Sequence, residues 1–289
     1  MNTAVTGTAQ AGGTKSRRRG KRIVIVLVVL VGLLVGADFA AATYAEHTVS
    51  QKAREQLGLS QDPAVTIHGF PFATQALAGE YDHIALSADG VGVQQLRDLS
   101  VRADLHDVDA PLSDLTSGNV SDIAIGRLTG EITLKASDIA GVAPLTNIDD
   151  LSIEPSSKAY VLHGEGVDDE RAAQIDDDGD DSSEGVRLSG KVDVAGERIE
   201  IFAFAMIELE GTTIRITPHR LQFGNDQETT VVPDEVQQAL LPNFEADINA
   251  GEMPFTVTPT AVRVESGSLT LHGEARDVTF AGVAGAFGG

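Results

Sequence analysis

The chain has 289 residues, 42% of them hydrophobic and 22% charged, which is typical of a folded globular protein. It contains no cysteine, which excludes disulfide bonds, thiolate metal sites and a cysteine nucleophile. All 43 acidic residues follow residue 37, together with only 15 of the 21 Lys and Arg residues. A body this acidic repels phosphate groups, which argues against nucleic-acid binding and against attraction to anionic headgroups.

A basic cluster followed by an uncharged apolar run predicts a membrane anchor near the N terminus. Six Lys and Arg residues lie at 15–22, and the run IVIVLVVLVGLLVGA occupies 23–37. As a helix the run spans about 22 Å, and residues up to 42 lengthen it towards the roughly 30 Å of the hydrocarbon core. Cleavage as a signal peptide within residues 40–45 is the alternative.

These features divide the chain into four predicted parts. Residues 1–22 form a basic cytoplasmic tail and 23–42 the signal anchor, so the positive-inside rule places the rest outside the cytoplasm. The body is one extracytoplasmic domain, 43–283, followed by a short tail at 284–289.

Helix-forming sequence continues beyond the anchor as AATYAEHTVSQKAREQL, without Gly or Pro. Ala45, Val49, Ala53 and Leu57 form a weak apolar stripe, and Gly58 is a candidate C-cap. The stripe leaves two alternatives open, a free stalk leaving the membrane or a helix that docks onto the body.

From about residue 64 the dominant pattern is an alternation of apolar and polar residues, which predicts antiparallel strands with one solvated face. The clearest cases are 99–105, 128–134 and 186–194. Short helical segments are predicted at 111–116, 137–142 and 233–241. We therefore predict an α+β, β-dominated domain.

One strand, ERIEIFAFAMIELE, is apolar on both faces, because Phe202, Phe204 and Met206 occupy the side that should be polar. Such a strand must be covered on both sides. Either it is a central strand under a helix, or its second face lines an apolar ligand cavity.

The densest acidic run, 168–184, invites comparison with a calcium-binding loop. When Gly179 is aligned with the invariant glycine of an EF-hand, Gln174 falls at the first ligand position and Gly185 at the last. The pattern fails at both ends, so we predict a solvated, disordered loop.

Catalytic signatures are missing from the sequence. It contains no HExxH, GxSxG or P-loop motif, and its seven histidines are scattered. His163 and His272, each followed by Gly-Glu, are the residual candidates for acid–base chemistry. We predict a protein that is not an enzyme and has no cofactor or metal.

Three segments carry a family resemblance: GFPFATQALAGEYDHIALSADGV from residue 69, LSVRADLHDVDAPLSDL from 99 and MPFTVTPTAVRVESGSLTLHGEARDV from 253. With them the chain resembles the actinobacterial LmeA-like phospholipid-binding proteins over roughly residues 44–280. The acidic run at 168–184 departs from the family pattern.

The resemblance implies a long helix packed on a strongly curved antiparallel sheet with an apolar groove for acyl chains. It also implies a non-catalytic role in cell-envelope lipid or lipoglycan maintenance, with a phospholipid or another acyl-chain lipid as the ligand. An envelope structural or protein-interaction module without a lipid is the alternative. The candidate lipid-contacting residues are Phe70, Phe72, Leu77, Tyr81, Phe202, Phe204, Met206 and Phe255.

Overall fold

A computed structural model describes residues 16–93, 96–117, 123–194, 196–211, 213–223, 230–249 and 258–279. The α-helices within them are α1 Ser16–Leu57, α2 Phe72–Ala78, α3 Leu112–Ser117, α4 Ala136–Ile139, α5 Lys158–His163, α6 Asp169–Asp176 and α7 Asp234–Leu240. The strands are β1 Ala64–His68, β2 Glu80–Val93, β3 Leu96–Asp109, β4 Ala124–Lys135, β5 Asp149–Pro155, β6 Ser183–Val194, β7 Glu197–Glu210, β8 Thr213–Phe223, β9 Thr230–Val231, β10 Ala246–Asn249, β11 Thr258–Glu265 and β12 Ser268–Thr279.

The apolar run and the helix-forming sequence after it form one continuous helix, α1. It ends at Gly58, whose φ of 62° lies in the left-handed region that favours glycine at a C-cap. The helix contains a stretch, Val24–Glu55, that is long and apolar enough to cross a membrane, and no residue of its most apolar window is buried. The first half of α1 therefore projects from the body.

The second half of α1 docks onto the body, which decides between the two predicted alternatives. Glu46 Oε1 accepts a hydrogen bond from the backbone N–H of Ile67 at 2.8 Å, so α1 runs along the edge strand β1. The buried Ser50 hydroxyl donates to the carbonyl oxygen of Pro63 at 2.5 Å. Ala45, only 3% exposed, packs into the core beside Glu46.

The strands form two antiparallel sheets, and the fold includes a strongly curled antiparallel half-barrel. The first sheet has the order β1-β2-β3-β4-β12-β11, and the second has β10-β8-β7-β6-β5, with β9 on β8. This confirms the predicted α+β, β-dominated fold with a long helix on a curved sheet.

The inner face of the first sheet contributes to two hydrophobic cores. At one end Leu99, Leu134 and Leu269 pack with residues of the second sheet. At the other end Leu105 and Leu128 pack with α1 and α2. One continuous apolar face is thus covered by the second sheet at one end and by helices at the other.

A shared irregularity helps to curl the first sheet. Buried residues of a regular strand are two positions apart, but in β3 Leu105 and Val108 are three apart. In β4 the buried residues Ile125 and Leu128 are likewise three apart, and they pair with Val108 and Leu105. Asp107, inside the step in β3, has φ of 54°. Two successive outward residues bend a strand as a β-bulge does, and neighbouring strands bend here at the same level.

The predicted strands at 99–105, 128–134 and 186–194 and the three predicted helical segments are all present. The sequence pattern missed α2, α5 and α6. The predicted disordered loop at 168–184 is wrong in part, because Asp168 caps α6 by accepting the backbone N–H of Arg171 at 2.9 Å. Aspartate at the N-cap and acids in the first turn favour a helix that residue composition alone does not predict.

Replacing Gly185 by Ala should destabilise the fold by about 1–3 kcal/mol through overpacking. A Cβ at Gly185, on β6, would press on the Ser156 carbonyl oxygen and lie 2.9 Å from Ser157 C and 3.0 Å from Lys158 N. Urea unfolding measures the loss. The matched control is Gly130→Ala on β4, where a Cβ would meet no atom within 4 Å of the described structure. The control should keep its stability or gain up to about 1 kcal/mol, and equal losses in both variants would contradict this packing.

Candidate functional site

Small residues cross the middle of the first sheet's inner face, between its two cores. Ala103, Gly130 and Gly273 lie side by side in register on β3, β4 and β12, and we call them the small-residue row. Ala103 is 3% exposed, yet a Cβ built on Gly130 would meet no described atom within 4 Å. Within the described part of the chain, this face therefore has open space beside Gly130, where a larger side chain would fill the core.

A buried polar group lies at the helix-covered end of the same sheet. The Tyr81 side chain is 1% exposed, and its hydroxyl has no hydrogen-bond partner within the described residues. Burial raises the pKa of this phenol above its ordinary value. A phenol in an apolar core without a partner is costly, and a bound polar group would relieve that cost.

The FPF motif presents its two rings to different surroundings. Phe70 is 59% exposed and stacks on Phe39 of α1 with 6.0 Å between ring centroids, whereas Phe72 is 4% exposed and packs into the core beneath α1. Leu77, on α2, is 90% exposed. The motif therefore reaches both the core and the outer surface beside the apolar half of α1. Phe255 lies outside the described residues.

The other predicted cluster lies on a different sheet. Phe204 and Met206 of β7 pack against Val161 of α5, and Tyr160 meets the Phe204 ring edge-on at 4.9 Å between centroids. Phe202 packs at the margin of this cluster. The two-faced strand is thus a central strand under a helix, the first of the two predicted explanations, and its aromatics do not join those of the FPF motif.

The acidic segment is held by a lysine of the body. Lys158 is 6% exposed, and its ammonium donates to Asp178 Oδ1 at 2.9 Å and to the carbonyl oxygen of Asp180 at 3.1 Å. Asp176 accepts the backbone N–H of Ala159 at 3.0 Å. The acids therefore bind protein donors, and no metal-binding group of His, Asp or Glu occurs among the described residues.

Strand pairing brings together histidines that are scattered in the sequence. His68, His83 and His106 are paired on β1, β2 and β3, and their rings stack at 4.4 and 4.5 Å between centroids. His83 also bonds to Asp104 at 2.7 Å, and Arg127 continues the row on β4. Sequence spacing gives no sign of this row, because it depends on the register of three strands. His163 lies on α5, which packs against the second sheet, and His272 lies on β12 of the first sheet.

The profile of the family described as LmeA-like phospholipid-binding matches residues 36–274. The chain belongs to this family. No curated protein and no solved structure matches it. The match begins inside α1 and extends through both sheets, so the matched residues of this chain include the docked half of the helix, the small-residue row and the FPF motif.

Replacing Tyr81 by Phe should leave stability at pH 7 unchanged or raise it by about 1 kcal/mol, because it removes a buried hydroxyl without a partner in the described structure. Since the folded pKa is raised, unfolding is favoured as tyrosines of the unfolded chain ionise near about pH 10. The wild type should lose stability above that pH, and the variant should lose less. Urea unfolding at pH 8 and about pH 10.5 tests this, and equal alkaline losses would count against it.

Replacing Lys158 by Met should destabilise the protein at pH 7, because Asp178 and the Asp180 carbonyl lose their ammonium donor. The hydrogen bond from Lys158 lowers the pKa of Asp178, so its contribution is present above about pH 4 and is lost as pH falls through the lowered value. The difference in stability between wild type and variant should therefore become smaller in acid. Urea midpoints at pH 7 and about pH 2.5 measure it, with Lys191→Met on the exposed Asp150 pair as a control. A gap that does not change with pH would contradict this role.

Proposed function

We propose that this protein is a membrane-anchored phospholipid-binding protein that serves the maintenance of cell-envelope lipid or lipoglycan and catalyses no reaction. The observation that carries the proposal is membership of the LmeA-like phospholipid-binding family over residues 36–274. The apolar half of α1, exposed along its whole most apolar window, supports the membrane anchor. The basic cluster that precedes it supports a cytoplasmic N terminus and a body on the other side of the membrane.

The sheltered inner face of the first sheet is the place where we propose that acyl chains lie. It is apolar from Leu105 to Leu99, and the small-residue row leaves space in its middle. Phe72 and Tyr81 border the same face at its helix-covered end. Burial of an acyl chain contributes about 0.8 kcal/mol per methylene. The binding energy can therefore come from the chains, which suits a body too acidic to attract anionic headgroups.

The Tyr81 hydroxyl supports a polar contact with the ligand. It lies in an otherwise apolar core, where the ester or phosphate oxygens of a phospholipid would supply the acceptor missing from the described residues. Phe202, Phe204 and Met206 do not enter this proposal, because they contact α5 on the second sheet.

Filling the small-residue row should remove the lipid. We expect phospholipid to be extracted from wild-type full-length protein, and from Gly130→Ala, after exchange into lipid-free detergent. Gly130→Leu, whose side chain would occupy the open space, should lose most of it. Mass spectrometry of the extracted lipids, normalised to protein, measures the occupancy.

The three proteins share the same transmembrane helix, so the amount of lipid that merely surrounds the anchor is the same in all of them. Equal occupancy in Gly130→Leu and Gly130→Ala would contradict the proposed location. A wild type without bound lipid would contradict phospholipid binding itself and would favour the envelope interaction module.

A further inference from the structure

The depth of the docked body in the membrane follows from the continuity of α1. This step rests on the proposed membrane anchoring. If the hydrocarbon core begins at Ile23, directly after the basic cluster, a rise of about 1.5 Å per residue ends it near Ala42. Phe39 is then about 24 Å along the roughly 30 Å core. Tyr44, 74% exposed, falls at the outer boundary, where tyrosines are enriched in membrane proteins.

The helix α2 of the body is attached to α1 at Asp38, one residue before Phe39. Both carboxylate oxygens of Asp38 accept hydrogen bonds from α2, from the backbone N–H of Phe72 and of Ala73, each at 2.8 Å. A carboxylate inside the outer edge of a bilayer is costly unless it is paired. The same two bonds satisfy amide groups at the start of α2 that lipid could not satisfy. The start of α2 therefore shares the depth of Asp38.

The segment around this attachment has the surface of a membrane-inserted element. Residues 69–79, GFPFATQALAG, carry no charge in a chain that is 22% charged, and we call them the FPF segment. Phe70 lies against Phe39 of the anchor, both rings being exposed by about three-fifths, and Leu77 is 90% exposed. Exposure of these side chains to water is unfavourable, whereas contact with acyl chains would lower the free energy of each.

We propose that the FPF segment is inserted into the outer leaflet beside α1, with Phe70 and Leu77 among the acyl chains. The bilayer is the partner for this surface because the surface is continuous with the transmembrane helix and is uncharged. The acidic body cannot be drawn to the membrane by charge, so insertion rests on apolar contact. Phe72, at the other side of the same segment, packs into the core that leads to the inner face of the first sheet. The inserted segment thus places the proposed lipid site directly above the leaflet that would supply its ligand.

The chain has no native tryptophan, so single substitutions report the depth of one side chain. Full-length Phe70→Trp and Leu77→Trp are placed in phosphatidylcholine nanodiscs with ordinary or brominated acyl chains. We expect both fluorophores to be quenched by the brominated lipid and shielded from acrylamide in the water. The matched control is Leu162→Trp on α5, 42% exposed and far along the chain from the anchor, which should show the reverse. A fluorophore at residue 70 or 77 that behaves like the one at 162 would overturn the proposal.

A lipid bound inside the protein could also quench these tryptophans. Repeating the measurement in variants that also carry Gly130→Leu distinguishes this quenching from quenching by the bilayer. Insertion predicts that quenching at residues 70 and 77 persists in that background, and its disappearance together with the extracted lipid would refute insertion. The lipid content by mass spectrometry tests the proposed function independently. Bound phospholipid without bromolipid quenching refutes insertion alone. Quenching of the tryptophans at residues 70 and 77, together with a wild type that yields no extractable phospholipid, supports insertion while refuting the proposed function.

Discussion

The contact face of α1 is the constraint on which the architecture depends. Asp38, Glu46 and Ser50 lie along one side of the helix and bind α2, β1 and the residue before β1, respectively. Their spacing of eight and four residues returns to the same helix face, with Ala45 packed between them. Because α1 is unbroken, these bonds fix the position of the body relative to the apolar half of α1 as well as the cover of the first sheet.

The first sheet shows how one apolar surface can belong to two cores and still retain space. Its ends are covered by different partners, the second sheet and the helices, and no described side chain from either cover lies within 4 Å of a Cβ built on Gly130 in the small-residue row. A well-packed domain normally closes such a gap, because each lost contact has a cost. The helix-covered end of the same sheet holds the buried Tyr81 hydroxyl, which has no hydrogen-bond partner among the described residues. Both features become favourable if a lipid with a polar end occupies this face of the sheet.

The prediction from sequence was most accurate where a signal is local and periodic. The alternation at 99–105 and at 186–194 identifies β3 and β6, and the acids after Pro233 identify α7. The helix α2 was missed, because it begins directly at Phe72 in a motif that reads as extended and has no side-chain cap of its own; its N–H groups are satisfied by Asp38, 34 residues earlier. α5 and α6 were missed for the related reason that short helices depend on caps and on contacts such as Lys158 with Asp178.

By itself the sequence determined the apolar N-terminal segment, the acidic body, the β-rich class and the absence of familiar catalytic motifs, since each depends on composition or on a period of two or 3.6 residues. Only the tertiary structure decided that Phe204 lies under a helix whereas Phe70 lies against Phe39 of α1. It also decided that three distant histidines stack and that Gly130 borders open space. These outcomes depend on strand register and on which element covers which face, and both are set by contacts between residues far apart in the chain.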